Sequence, residues 1–149
     1  MKKFIFTLQK LLDYKIQVLD AERATLAEMN AVLRSFEDTL ASLRAERARR
    51  SSEYQKQIAA GITPVDMQMH RNYLRTLDDL IFQKEVQIDM QRKVIDKQMD
   101  KVRETNMDIS TMEKLKETRL EEYNYLERKE QELFIEEFIS NKKVMSDAQ

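Results

Sequence analysis

The sequence has no cysteine and no tryptophan, and only one glycine, one proline and one histidine in 149 residues. Each scarcity excludes something. Without cysteine there is no disulfide framework, no thiolate nucleophile and no thiolate metal site. With His70 alone, no histidine pair can hold a metal, and it reads as a polar residue near a turn. A single glycine cannot build a phosphate-cradling loop. No constellation of catalytic residues is left, so neither an enzyme, a metal nor a cofactor is expected. Long apolar runs are missing too. The opening "MKKFIFTLQKLLDYK" pairs two lysines with "FIF", but Thr7, Gln9 and Lys10 break the run well short of the roughly 7–15 apolar residues of a signal peptide. Nothing approaches the roughly 20 residues of a membrane span. The expectation is a soluble cytoplasmic protein that keeps its N-terminus and does not insert directly into a membrane.

What is present is charge and helix-forming side chains. Charged residues make up 36% of the chain, 26 basic against 27 acidic, so there is no global field to attract nucleic acid or anionic lipid. The rest is rich in Ala, Leu, Gln and Met, which with Glu, Lys and Arg lose little rotamer freedom in a helix. A compact globule of this length would need many more turn residues. Few reversals and many helix formers predict an extended all-α protein.

The apolar residues carry the heptad signal. Ile5, Leu12, Leu19, Leu26, Leu33 and Leu40 recur every seventh residue, with Leu8, Met29, Phe36 and Leu43 in a companion register that Lys15 and Glu22 interrupt. Both registers turn polar at Arg47 and Arg50 before Tyr54. Further on, Leu74, Ile81, Ile88, Ile95, Val102 and Ile109 repeat at sevens, and their companions Leu77, Lys84, Gln91, Gln98, Thr105 and Met112 are half polar. A 3.5-residue repeat sustained this long marks a coiled-coil seam. Beyond residue 112 the phase blurs.

Between the two seams lies "QIAAGITPVDM", which holds both Gly61 and Pro64. Gly61 suits a helix C-terminus in the left-handed conformation. Thr63 suits an N-cap, Pro64 the first helical position and Asp66 the first turn. Stop, turn and start predict a long antiparallel two-helix coiled-coil hairpin: residues 1–60 the first helix, 61–64 the turn, 65–140 a second and longer helix, 141–149 a frayed tail. The first arm would be about 80 Å long at 1.5 Å per residue. Folding about residue 62 or 63 sets Leu40 near Ile88, Leu26 near Val102, Leu12 near Leu115, and Arg47 and Arg50 opposite Leu77, Asp78 and Asp79. A continuous parallel rod is disfavoured, because proline inside a helix costs about 3 kcal/mol. A pair of hairpins in a four-helix bundle stays open, since Phe82, Val86, Met90 and Val94 lie off the second seam.

Three stretches invite a functional reading. "RAERARR", residues 44–50, is the densest basic cluster; pairing with Glu46, Asp78 and Asp79 outweighs phosphate binding, and no aromatic platform accompanies it. In "NYLRTLDDLI", residues 72–81, Tyr73 sits one position off the seam, at the edge of the interface. Finally, if Ile5 pairs near residue 121, "EEYNYLERKEQELFIEEFIS" overhangs the first helix. It would expose Tyr123, Tyr125, Leu126, Leu133, Phe134, Ile135, Phe138 and Ile139 with no intramolecular partner, as interaction sites do.

The N-terminal "MKKFIFTLQKLLDYK", the charged heptads and the C-terminal "KLKETRLEEYNYLERKEQELFIEEF" together resemble the flagellar export protein FliJ family, whose relatives in type III secretion systems are similar in design. The resemblance implies an antiparallel hairpin like the central stalk of rotary ATPases. It implies binding to the hexameric flagellar export ATPase and promotion of its ring assembly, contact with the export-gate protein, and cycling of export chaperones at the cytoplasmic face of the inner membrane. It also implies a gate contact from an aromatic and a leucine four residues later, which match Tyr73 and Leu77. For the ATPase ring the candidates are Phe4, Phe6, Tyr123, Leu126, Leu133, Phe134 and Phe138. The competing readings are a generic cytoplasmic coiled-coil scaffold or holdase chaperone, and a nucleic-acid-associated hairpin using the arginine cluster.

Overall fold

A computed structural model describes residues 2–148. The described residues form two α-helices, α1 (Gln9–Ala60) and α2 (Pro64–Asp147), that pack against each other as an all-α helical hairpin. The chain divides into two compact units, one of Ala21–Val102 and the other of Met1–Asp20 with Arg103–Gln149.

The Ala21–Val102 unit contains the reversal. Gly61 adopts φ 93, a conformation cheap only for glycine, and its N–H donates to the Ile58 carbonyl at 3.2 Å. Thr63 then caps α2: its hydroxyl accepts from the Asp66 N–H at 3.2 Å, and Pro64 opens the helix where its missing N–H costs nothing. The helices that leave this turn run antiparallel. Arg44 meets Glu85, Glu37 meets Arg92, and the Gln98 amide donates to the Glu22 carbonyl. Leu40 and Ile88 line one shallow groove, as the fold-back arithmetic requires.

The heptad seam is the core. Every seam position from Leu12 to Tyr54 on α1, and from Leu74 to Met112 on α2, is buried or half-buried. Leu12, Leu19, Leu40, Leu77, Ile88, Ile95 and Ile109 are its most enclosed apolar members. Burial of such a side chain contributes about 1.5–3 kcal/mol. The polar companions are accommodated individually. Lys84 sets its ammonium 4.7 Å from the Phe36 ring centroid, while Gln91 and Gln98 donate to the Met29 and Glu22 carbonyls at 3.0 and 2.9 Å.

In the other unit, Lys15 pairs with Asp108 at 3.2 Å, and the Ile109 register continues through half-buried Lys116 to Tyr123. Both expected outer boundaries move here. The first helix begins at Gln9 rather than at residue 1, and residues 2–8 form a non-helical strap. Ile5, expected to open the first seam, is 79% exposed, Leu8 is also exposed, and Phe6 is buried instead. The seam therefore starts at Leu12. The expected fraying from residue 141 gives way to helix as far as Asp147, because "SNKKVMSD" has no glycine or proline to stop it.

Candidate functional site

Near the turn, every arginine of residues 44–50 has a carboxylate. Arg44 reaches Glu85 at 2.8 Å and Arg47 reaches Asp78 at 2.7 Å. Glu46 takes both Arg49, at 2.7 Å, and Arg50, at 2.9 Å, and Arg49 also reaches Glu53 at 3.3 Å. The guanidiniums, Arg50 first and then Arg49, pull the Glu46 carboxyl down to about 2, and the Arg47 hydrogen bond lowers Asp78 likewise. Glu46 and Asp78 thus serve as the expected counter-ions; Asp79 enters no ion pair among the described residues.

Tyr73 belongs to the same network. Its hydroxyl donates to Glu46 Oε1 at 3.2 Å, and the Arg50 guanidinium lies 4.9 Å from its ring centroid. It remains 41% exposed at the edge of the seam. Leu77, matched with it as a gate contact, is among the most buried side chains of the protein. Its side chain is a seam contact, so of this pair only Tyr73 presents a surface.

At the opposite end of α1 the strap turns onto α2. The Phe4 and Tyr123 rings tilt against each other with centroids 5.6 Å apart, and the Tyr123 hydroxyl donates to the Lys2 carbonyl at 2.5 Å. Phe6 is buried, and its carbonyl accepts from the Gln9 N–H at 3.1 Å, closing the first turn of α1. The expectation that Tyr123 has no intramolecular partner is corrected by this arrangement. Phe4, Phe6 and Tyr123 close the protein on itself, because the strap turns back instead of extending α1. An apolar triplet ahead of the β-branched Thr7 was the available signal.

Past Tyr123 nearly all the side chains of α2 are open; Glu127 alone among the described residues is half-buried. Leu126, Leu133, Phe134, Ile135, Phe138 and Ile139 are each more than half exposed. At 100° per residue, Phe134, Ile135, Phe138 and Ile139 form one contiguous strip, the i, i+1, i+4, i+5 pattern of a single helix face. Phe134 stands eleven residues after Tyr123 and so nearly in line with it; the strip prolongs the face that meets the strap. Ile135 and Ile139 complete the surface begun by Phe134 and Phe138, and their spacing was the sequence signal for including them. Among the described residues, no group of His, Cys, Asp and Glu is arranged to hold a metal, and no helix is long and apolar enough to cross a membrane.

The geometry thus defines a helical-hairpin coiled-coil protein, sealed by ion pairs near its turn and with bare apolar side chains along the end of α2. The model of the family described as Flagellar FliJ protein matches residues 4–141, and the chain belongs to that family. The family is flagellar and non-catalytic, which gives the protein an export-related flagellar role. No curated protein and no solved structure matches the chain.

Proposed function

We propose that this protein is a component of the flagellar type III export apparatus, a central-stalk-like coiled coil that binds and stimulates the hexameric export ATPase. In this reading it also contacts the export gate and cycles export chaperones, working at the cytoplasmic face of the inner membrane at the flagellar base. Family membership supports the setting. The observation that carries the ATPase contact is the end of α2: six large apolar side chains between Leu126 and Ile139, each more than half exposed. Four of them, Phe134, Ile135, Phe138 and Ile139, form the contiguous strip, and exposed apolar surface of this kind is the mark of a protein–protein contact.

The strap and the end of α2 enter the ATPase ring, and the turn faces the gate. Leu126, Leu133, Phe134 and Phe138 touch the ring directly. Phe4, Phe6 and Tyr123 hold the strap behind them. One asymmetric hairpin cannot satisfy six equal subunits, so it biases them unequally, and stimulation follows from that inequality. Tyr73 is the gate contact and Leu77 supports it from the seam.

Removing residues 127–149 leaves the strap contact and the whole seam in place. The truncated protein is expected to retain its helicity per residue but lose stimulation of the ATPase; unchanged stimulation would refute this orientation. A pull-down that recovers no export ATPase with the full chain would favour the generic scaffold or holdase reading.

A further inference from the structure

Residues 130–139 hold four glutamates, Glu130, Glu132, Glu136 and Glu137, and no basic residue. Helix geometry distributes them. With Phe134, Ile135, Phe138 and Ile139 on one face, Glu130 and Glu137 fall along one edge of the strip and Glu132 and Glu136 along the other. Lys129, just outside the segment, pairs with Glu132 at 3.7 Å; among the described residues Glu136 and Glu137 make no ion pair. The strip is therefore apolar in the middle and carboxylate-edged on both sides. In contrast to Glu136 and Glu137, the carboxylates near the turn are answered within the chain, Asp78 by Arg47 and Glu46 by Arg49 and Arg50.

We infer that the Phe134–Ile139 strip is built to dock in a groove with an apolar floor and lysines or arginines along its walls. This rests on the reading that the end of α2 meets the export ATPase, and it specifies the chemistry of the ATPase surface that receives it. Three occupants compete for such a strip, and charge separates them. A second copy of the strip would bring glutamates against glutamates, and like charges across an interface are destabilising. An anionic membrane surface would repel the same carboxylates, whereas helices that lie on membranes carry Lys and Arg on their polar face. A basic-walled protein groove satisfies both the apolar face and its edges. The charges steer the encounter, and the four apolar side chains hold the complex.

The test uses the full-length chain and the purified export ATPase, with affinity measured in about 0.1 M and about 1 M salt, where the Debye length falls from about 10 Å to about 3 Å. Glu136→Gln with Glu137→Gln takes one carboxylate from each edge at exposed helical positions, and circular dichroism checks that the fold is kept. The double variant is expected to bind about three- to tenfold more weakly at low salt, to associate more slowly, and to match the parent within about twofold at high salt. Glu136→Lys with Glu137→Lys should weaken binding further. Phe134→Glu should abolish binding at both salt concentrations.

If Phe134→Glu lowers affinity while the glutamine pair and salt change nothing, the basic-walled groove is wrong and the ATPase contact stands. If Phe134→Glu leaves ATPase binding untouched, the contact itself is misplaced and the inference falls with it. Self-association by sedimentation that Phe134→Glu abolishes, or capture of the chain on vesicles containing anionic lipid, would overturn the inference in favour of a second copy or a membrane.

Discussion

Two stretches of this protein have similar composition and opposite fates. Residues 44–50 and 73–91 interleave charge with apolar side chains, and the groups on and beside the seam find counterparts: guanidiniums on carboxylates, an ammonium over Phe36, an amide on a helix carbonyl. Residues 126–147 also interleave charge with leucine, isoleucine and phenylalanine, yet almost all of these side chains are exposed. The difference lies in register and reach. The first stretch keeps the heptad beat opposite a helix that keeps it too. The second drops the beat after Tyr123, where the strap meets α2. Self-sufficiency in the one and incompleteness in the other come from the same vocabulary of residues.

The sharpest way to break this comparison is to truncate one apolar side chain in each stretch. Leu77→Ala or Ile88→Ala should cost about 2–5 kcal/mol in chemical denaturation, the usual range for emptying a core site. Phe134→Ala should stay within about 0.5 kcal/mol of the parent, as exposed substitutions do. Equal losses at the two places would mean that the end of α2 is covered within the protein after all.

A second prediction concerns the polar seam. A polar residue at a coiled-coil core position fixes register at a cost in stability. Gln91→Leu with Gln98→Leu should therefore raise stability by about 1–2 kcal/mol despite losing two hydrogen bonds of about 1 kcal/mol each. The gain should come with less uniform inter-helix distances between spin labels. A fall in stability would show that the amide–carbonyl bonds contribute more than burial.

Tyr123→Phe keeps the ring against Phe4 but removes the donor to Lys2. It should cost about 1 kcal/mol and speed hydrogen exchange in residues 2–8, leaving the rest of α1 unchanged. Exchange that speeds throughout α1 would make the strap a determinant of the whole helix rather than of its first turn.

The smallest expected effect is on acid stability. The Glu46 carboxyl is held at about 2 against an ordinary 4.5, chiefly by Arg50 and then Arg49. A depressed carboxylate stabilises above its ordinary value and loses that contribution as pH falls toward its native one. Parent and Glu46→Gln should thus diverge in thermal stability above about pH 4.5 and converge as pH approaches 2. Because the pair is exposed, the divergence is small and shrinks with salt. Curves that stay parallel down to pH 2 would remove Glu46 from the account of the turn region.

Much of this was legible in the sequence, and the residues explain why. Heptads give phase, so the positions from Leu12 to Tyr54 and from Leu74 to Met112 could be marked before any coordinates. Gly61, Thr63 and Pro64 state the turn because each tolerates a backbone role that few residues do. Helix ends were harder. Whether α1 starts at residue 1 or at Gln9 depends on the burial of Phe6 and on a single bond from Gln9 to its carbonyl, and neither leaves a periodic trace. Lys116 concealed the last heptad by putting an ammonium where a leucine would have declared it. Leu77 was read both as a seam residue and, by resemblance, as a gate-contact candidate; the structure places its side chain in the seam. The bare strip of α2 was visible as composition, but only with Phe4 seated on Tyr123 is it clear where cover stops.

Gly61 has a practical corollary. A Cβ built on it would meet nothing within 4 Å, so space is open there and only the backbone angle resists a side chain. Alanine at this position would strain the link by about 1–2 kcal/mol without a collision. A short flexible insert directly after the glycine, by contrast, should leave both coils zipped. A fluorophore or affinity handle placed there would lie well away in sequence from the exposed phenylalanines of α2, and so would leave that surface unencumbered.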